Sequence, residues 1–127
     1  VGRAQFGRWV EHDIYLARLL AALLRREPDF TLLGPNTLGV CNFRWEPRNP
    51  EGAPRFNPDQ TDQLNRLLQE QVERDGDAWF SYTMLRGRVA LRANVENRRM
   101  GREHVERLVR VIRRTADRIL ASQNALS

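Results

Sequence analysis

Arg92 stands in the middle of Val89-Ala90-Leu91-Arg92-Ala93-Asn94-Val95, a run of β-branched and small residues that reads as a strand. Side chains alternate across a strand, so Val89, Leu91, Ala93 and Val95 share one face while Ala90, Arg92 and Asn94 share the other. The first set belongs against a core. The second places a guanidinium between small neighbours, where its fork of donors can grip a planar carboxylate with two hydrogen bonds. Arg92 is therefore the foremost candidate for substrate binding. Spacing alone fits an ordinary arginine on a solvated sheet face at least as well, and without further observations that plainer reading is the default.

Other reactive side chains carry less. Arg44 falls opposite Cys41, Phe43 and Trp45 on its own strand, where a solvated role is the expectation. His12 and His104 lie on separate helical stretches with no carboxylate or second histidine at ligand spacing, so no metal site is predicted. Cys41 sits in an apolar pattern and reads as a small buried hydrophobe. Trp9, Trp45 and Trp79 could stack on bases or rings, but each follows an apolar pattern and reads as packing. Gly87 and Gly101 form no phosphate-cradling loop, and no dinucleotide fingerprint is present.

Composition bounds what these residues can do. The chain has 127 residues, 41% hydrophobic and 29% charged, which suits one globular domain with a real core and excludes a large enzyme scaffold. A single cysteine rules out an internal disulfide and fits a reducing, cytoplasmic setting. The longest apolar runs, such as Leu19 to Leu24, are too short to span a bilayer. All 21 basic residues are arginine. Sixteen acidic residues are interleaved with them, as in Arg102-Glu103 and Glu106-Arg107, which points to solvated helix faces rather than a nucleic-acid stripe. Without a lysine, the chain cannot make the covalent link by which pyridoxal phosphate is usually held.

The elements that must position Arg92 follow from hydrophobic periodicity. Apolar residues from Gln5 to Arg26 recur at three and four, predicting a long helix that ends before Pro28. Phe30 to Leu33 and Leu38 to Trp45 read as neighbouring strands joined by Gly34-Pro35-Asn36-Thr37. Glu46 to Pro58 reads as a surface loop, after which Asp59 or Thr61 can cap a helix ending near Gly76. Ala78 to Leu85 and Val89 to Val95 flank Arg86-Gly87 as a hairpin. A last helix runs from Arg102 to Leu120, with Ser122 to Ser127 frayed. The order α-β-β-α-β-β-α predicts an α+β fold: a small four-stranded sheet, antiparallel or mixed, with helices on one face. The other face is left for solvent, a ligand or another domain.

Three stretches taken together carry a resemblance: Leu38-Gly-Val-Cys-Asn-Phe-Arg44, Phe80-Ser-Tyr-Thr-Met-Leu-Arg-Gly-Arg-Val-Ala-Leu-Arg92, and Asn97 to Leu108 with its following helix. Their order resembles the C-terminal small domain of the group II pyridoxal-phosphate-dependent decarboxylases, the aromatic-L-amino-acid and glutamate decarboxylase family. The resemblance implies that residues 1–127 are one small domain and that residues 1–26 form the helix leading in from a large domain. It also implies a cytoplasmic homodimer of amino-acid metabolism, in which the large domain holds pyridoxal phosphate on a lysine and the small domain covers the active site. The arginine that binds a substrate carboxylate in glutamate-decarboxylase-like members falls on Arg92. The cofactor lysine and the catalytic groups would lie upstream of Val1, so this chain alone is expected neither to hold the cofactor nor to decarboxylate. The substrate is not specified.

Two readings of other classes compete with this one. An arginine-rich α+β module could bind RNA or DNA through its sheet, although Ala90, Arg92 and Asn94 include no aromatic platform. A structural or dimerisation domain would expose Trp9, Tyr15 and the leucine stripe of the first helix as a patch.

Overall fold

The computed structural model describes residues 3–34, 40–74, 80–94 and 101–126. The elements are α1 (Arg3–Arg25), β1 (Phe30–Leu33), β2 (Val40–Trp45), α2 (Pro58–Arg74), β3 (Phe80–Leu85), β4 (Arg88–Asn94) and α3 (Arg102–Leu126). The expected order is observed. The β1–β2 connection from Pro35, the side chain of Trp9, and Trp79 and Val95 lie outside the described residues.

Helix ends follow their local chemistry. α2 begins earlier than expected, because Asn57, not Asp59 or Thr61, is its cap. The Asn57 side chain accepts the Gln60 N–H at 2.8 Å while the Gln60 side chain accepts the Asn57 N–H at 3.0 Å, a reciprocal capping box with Pro58 at the first helical position. His104 does a similar service for α3, its Nδ1 accepting the Gly101 N–H at 3.0 Å. α3 continues to Leu126 rather than fraying after Leu120, since Ala121, Gln123, Ala125 and Leu126 are good helix formers. Tyr15, expected on the apolar stripe of α1, is 46% exposed.

The strands form one antiparallel sheet in the order β1-β2-β4-β3. Phe30 pairs with Trp45, Phe43 with Leu91, and Cys41 and Phe80 with Ala93, so these residues share a face. That face is the core. α1 lies against β1 and β2, α2 against β2, β3 and β4, and α3 packs on both helices. Leu16, Leu20 and Leu24 of α1, Leu68 and Val72 of α2, and Leu108 and Ile112 of α3 meet the strand residues there, all essentially without exposure. Phe43 bridges the aromatic cluster, with ring centroids 5.9 Å from Phe30 and 5.8 Å from Phe80.

One gap in the ladder fixes α2 on the sheet. The β2–β4 register runs from Val40↔Asn94 to Phe43↔Leu91 and stops, although two further residues would set Trp45 opposite Val89. Side chains of α2 stand in that place. Asn65 accepts the Trp45 N–H at 2.9 Å and donates to the Trp45 carbonyl at 2.8 Å, acting as a substitute peptide group. Its amide also donates to the Thr61 carbonyl at 2.8 Å. Asp62, one turn earlier, accepts the Val89 N–H at 3.2 Å, and the Val89 carbonyl accepts Arg44 Nη1 at 2.6 Å.

Two stability outcomes are expected, both read by urea unfolding. Asn65→Ala leaves a buried N–H and carbonyl of Trp45 without partners and should cost about 2 to 4 kcal/mol. Arg86 holds a left-handed φ of 52° beside Gly87 at 79°, a two-residue turn that prefers asparagine at its first position. Arg86→Asn should therefore stabilise the fold by about 0.5 to 1 kcal/mol.

Candidate functional site: the uncovered sheet face

Opposite the helices, the sheet presents a second face built from the even positions of β4. Leu33, Asn42, Arg92 and Ser81 form one row across the four strands through the pairs Leu33↔Asn42, Asn42↔Arg92 and Ser81↔Arg92. Arg92 is exposed at the centre of that row, flanked by the half-buried amide of Asn42 and the exposed hydroxyl of Ser81. The sequence alternation is observed: Val89, Leu91 and Ala93 are fully buried on the core side. Ala90, although on the outer face, is also buried at 1% exposure.

Arg44 corrects the expectation of a solvated side chain. It is 8% exposed, and its Nη1 donates to Asp62 Oδ1 at 2.8 Å as well as to the Val89 carbonyl. The ladder gap creates this site, which no spacing in β2 alone reveals. Arg88 joins the same carboxylate, its Nη1 lying 3.1 Å from Asp62 Oδ2 and 3.0 Å from Asp59 Oδ1. Burial alone would raise the Asp62 carboxyl. Hydrogen bonds from Arg44, Val89 and Arg88 outweigh it and hold the group below its ordinary value.

A second ion cluster joins β1 to α3 across the helix side. Arg113 grips Asp29 in fork geometry, Nη1 to Oδ1 at 2.6 Å and Nη2 to Oδ2 at 2.9 Å, with its guanidinium 5.4 Å above the Phe30 ring. Asp29 Oδ2 also accepts the Trp45 indole N–H at 3.1 Å, and Arg113 reaches Asp117 at 2.7 Å. Burial pushes the Asp29 carboxyl up, and Arg113 with the indole more than offsets it, so the carboxyl stays below its usual range. A cavity of about 590 Å3 opens beside this pair, walled by Pro28, Pro47, Pro50 and Leu120. The Arg113 donors facing it are already committed to carboxylates.

The guanidinium groups thus sort themselves by partner. Arg44, Arg88 and Arg113 hold carboxylates of this chain, whereas Arg92 has no hydrogen-bond or ion-pair partner among the described residues. Cys41 lies in the core, as its apolar pattern suggested. It is fully buried, and burial pushes its thiol up to about 12, with Arg25 opposing weakly, so it is no nucleophile. Among the described residues no group of histidine, cysteine and carboxylates could hold a metal ion, and no helix is long and apolar enough to cross a membrane. Trp45 is core, as its pattern suggested.

No family model matches the chain. It is 25% identical over 119 residues to tryptophan decarboxylase 1 of Oryza sativa subsp. japonica, and 26% identical over 121 residues to the aromatic-L-amino-acid decarboxylase of Bacillus atrophaeus. These matches cover 94% and 95% of this chain but only 23% and 24% of the relatives, so the chain spans about a quarter of their length. The crystal structure of Oryza sativa TDC with PLP and tryptamine superimposes with a TM-score of 0.82 at 25% identity, over 93% of this chain and 24% of that one. The matched part is the C-terminal one. The chain resembles the C-terminal small domain of group II pyridoxal-phosphate-dependent decarboxylases. The fold alone also recurs in the glutamate decarboxylase domain of a Vibrio parahaemolyticus protein, at a TM-score of 0.71 and 22% identity.

The part-buried carboxylates of the two ion clusters set the acid limit. Asp29 and Asp62 ionise more readily folded than unfolded, so their stabilisation is complete above the ordinary value of 3.8 and is lost as pH falls through their lower folded values. Arg113→Met should cost about 1 to 3 kcal/mol at pH 7. Urea unfolding at pH 7, 5 and 3 should show the gap between parent and variant closing only at the lowest pH.

Proposed function

We propose that the chain is the C-terminal domain of a pyridoxal-phosphate-dependent amino-acid decarboxylase, that its uncovered sheet face lies over the active site of a large cofactor-binding domain, and that Arg92 binds a substrate carboxylate there. The observation that carries this reading is a single one. A guanidinium with no carboxylate partner among the described residues stands at the centre of the one sheet face the helices leave open. Its flanking Asn42 and Ser81 are small enough to let a planar carboxylate approach both Nη atoms.

The chain's own residues do not fit the cofactor. It has no lysine to anchor pyridoxal phosphate, so the electron-withdrawing chemistry that the cofactor supplies belongs to another part of the enzyme. What this domain contributes is binding and exclusion of water. Arg92 brings N–H donors and no acceptor, so its part is to bind rather than to transfer a proton. It orients an anionic group, and the remaining face supplies shape. The names of the sequence relatives favour an amino acid with an aromatic side chain.

The test is Arg92→Ala in an enzyme carrying this domain together with its cofactor-binding domain. Truncating a desolvated charged contact costs on the order of 2 to 5 kcal/mol, so kcat/KM should fall at least ~30-fold, while Arg92→Lys should recover part of the loss. The stability of the isolated domain should change by less than about 0.5 kcal/mol, because the side chain is exposed. Unchanged kinetics in both variants would remove Arg92 from the site.

A further inference from the structure

β3 is one edge of the sheet. Edge strands present unpaired backbone groups, and natural ones are guarded by charge, proline, bulges or shortness. Phe80-Ser-Tyr-Thr-Met-Leu85 has six residues, no charge, no proline, and an unbroken register against β4. Of the three exposed large hydrophobic side chains among the described residues, two are on this strand: Tyr82 at 47% and Met84 at 50%.

The hairpin determines which backbone groups are open. Leu85 and Arg88 flank a two-residue turn with both φ angles positive, which makes them a hydrogen-bonded pair. The alternation then pairs Thr83 with Ala90 and Ser81 with Arg92 in the same way, and turns the N–H and C=O of Tyr82 and Met84 away from β4. Two contacts agree with this phase. Val89, one position out of step on β4, gives its N–H and carbonyl to Asp62 and Arg44 on the β2 side. The Phe80 carbonyl, in step with Tyr82, accepts Gln69 Nε2 from α2 at 3.1 Å.

We propose that β3 pairs antiparallel with β3 of a second copy, about a two-fold axis at Thr83, so that Tyr82 of each copy lies opposite Met84 of the other. This register engages the open N–H and C=O of both residues in both copies. It also lays each Tyr82 ring on a methionine thioether, a favourable contact, and covers the exposed apolar side chains with each other. Of the two neighbouring in-phase registers, Tyr82 on Tyr82 needs the Phe80 carbonyl that Gln69 already holds, and Met84 on Met84 sets Tyr82 opposite Arg86, which lies in the turn with a left-handed φ. A second copy is the occupant because a two-fold contact requires a self-complementary patch, and this strand supplies both halves. One strand pair buries far less than the roughly 1,200 Å2 of a stable complex, so the association is weak and concentration-dependent.

Sedimentation velocity of the 127-residue chain from micromolar to millimolar concentration should show the mass rising from 14.8 kDa toward twice that value. Thr83→Lys sets two ammonium groups face to face at the axis, and Met84→Pro removes an N–H that points only outward. Each should raise the concentration for half-association at least ~tenfold, with the unfolding midpoint and circular dichroism at low concentration showing that the monomer still folds. Oxidation should crosslink Thr83→Cys chains across the axis and leave Leu85→Cys chains monomeric, with buried Cys41 taking no part. A chain that stays at 14.8 kDa at every concentration overturns the proposal, and so does association unchanged in both the Lys and Pro variants.

Discussion

The side chain of Asn65 standing between β2 and β4 is the constraint on which the arrangement depends. It satisfies the Trp45 backbone where the ladder has opened, and so joins α2 to the centre of the sheet rather than merely laying it on top. The same opening turns the Val89 backbone toward Asp62, which draws in Arg44 and Arg88. Buried polar groups must be paired, so a helix that fills a splayed ladder is held in one register and one orientation. Arg92 lies on the same strand as Val89, three residues along, so its position is set by that anchorage rather than by contacts of its own side chain.

Composition and geometry together explain why an arginine-only basic set suits this fold. Each internal ion cluster uses a guanidinium to satisfy more than one acceptor: Arg44 bridges a carboxylate and a backbone carbonyl, while Arg113 grips Asp29 with two bonds and Asp117 with others. An ammonium lacks the planar fork that these arrangements need. The clusters meet at the Trp45 end of β2: one lies at the β2–β4 opening beside the Trp45 backbone, and the other holds the Trp45 indole where β1 meets α3.

Much of this was legible in the sequence, and the exceptions share a cause. The element order, the Arg86-Gly87 hairpin, the core face of β4 and the outward position of Arg92 all follow from alternation and helical period, which are local. Arg44 reads as solvated in the sequence because its partners, Asp62 and the Val89 carbonyl, are 18 and 45 residues away and come together only where the ladder opens. The sequence offers Asp59 and Thr61 as caps for α2, but the reciprocal pairing of Asn57 with Gln60 around Pro58 is the stronger signal. That signal was present in the sequence. The Arg113–Asp29 fork spans 84 residues and had no local signature at all.

A domain built in this way commits many of its polar side chains to its own structure. Its thiol is buried and protonated, no group of candidate ligands for a metal gathers among the described residues, and its internal carboxylates are held ionised by arginines. Groups locked in this manner are poor proton carriers, since their pKa values are driven away from neutrality. Among the described residues, the outer sheet face with its central guanidinium and the edge at β3 are left uncommitted, and both are suited to contact. On the proposed reading, the hydrogen bonds that Asn65 and Asp62 make in the core shape the face that carries Arg92 without using any group on that face.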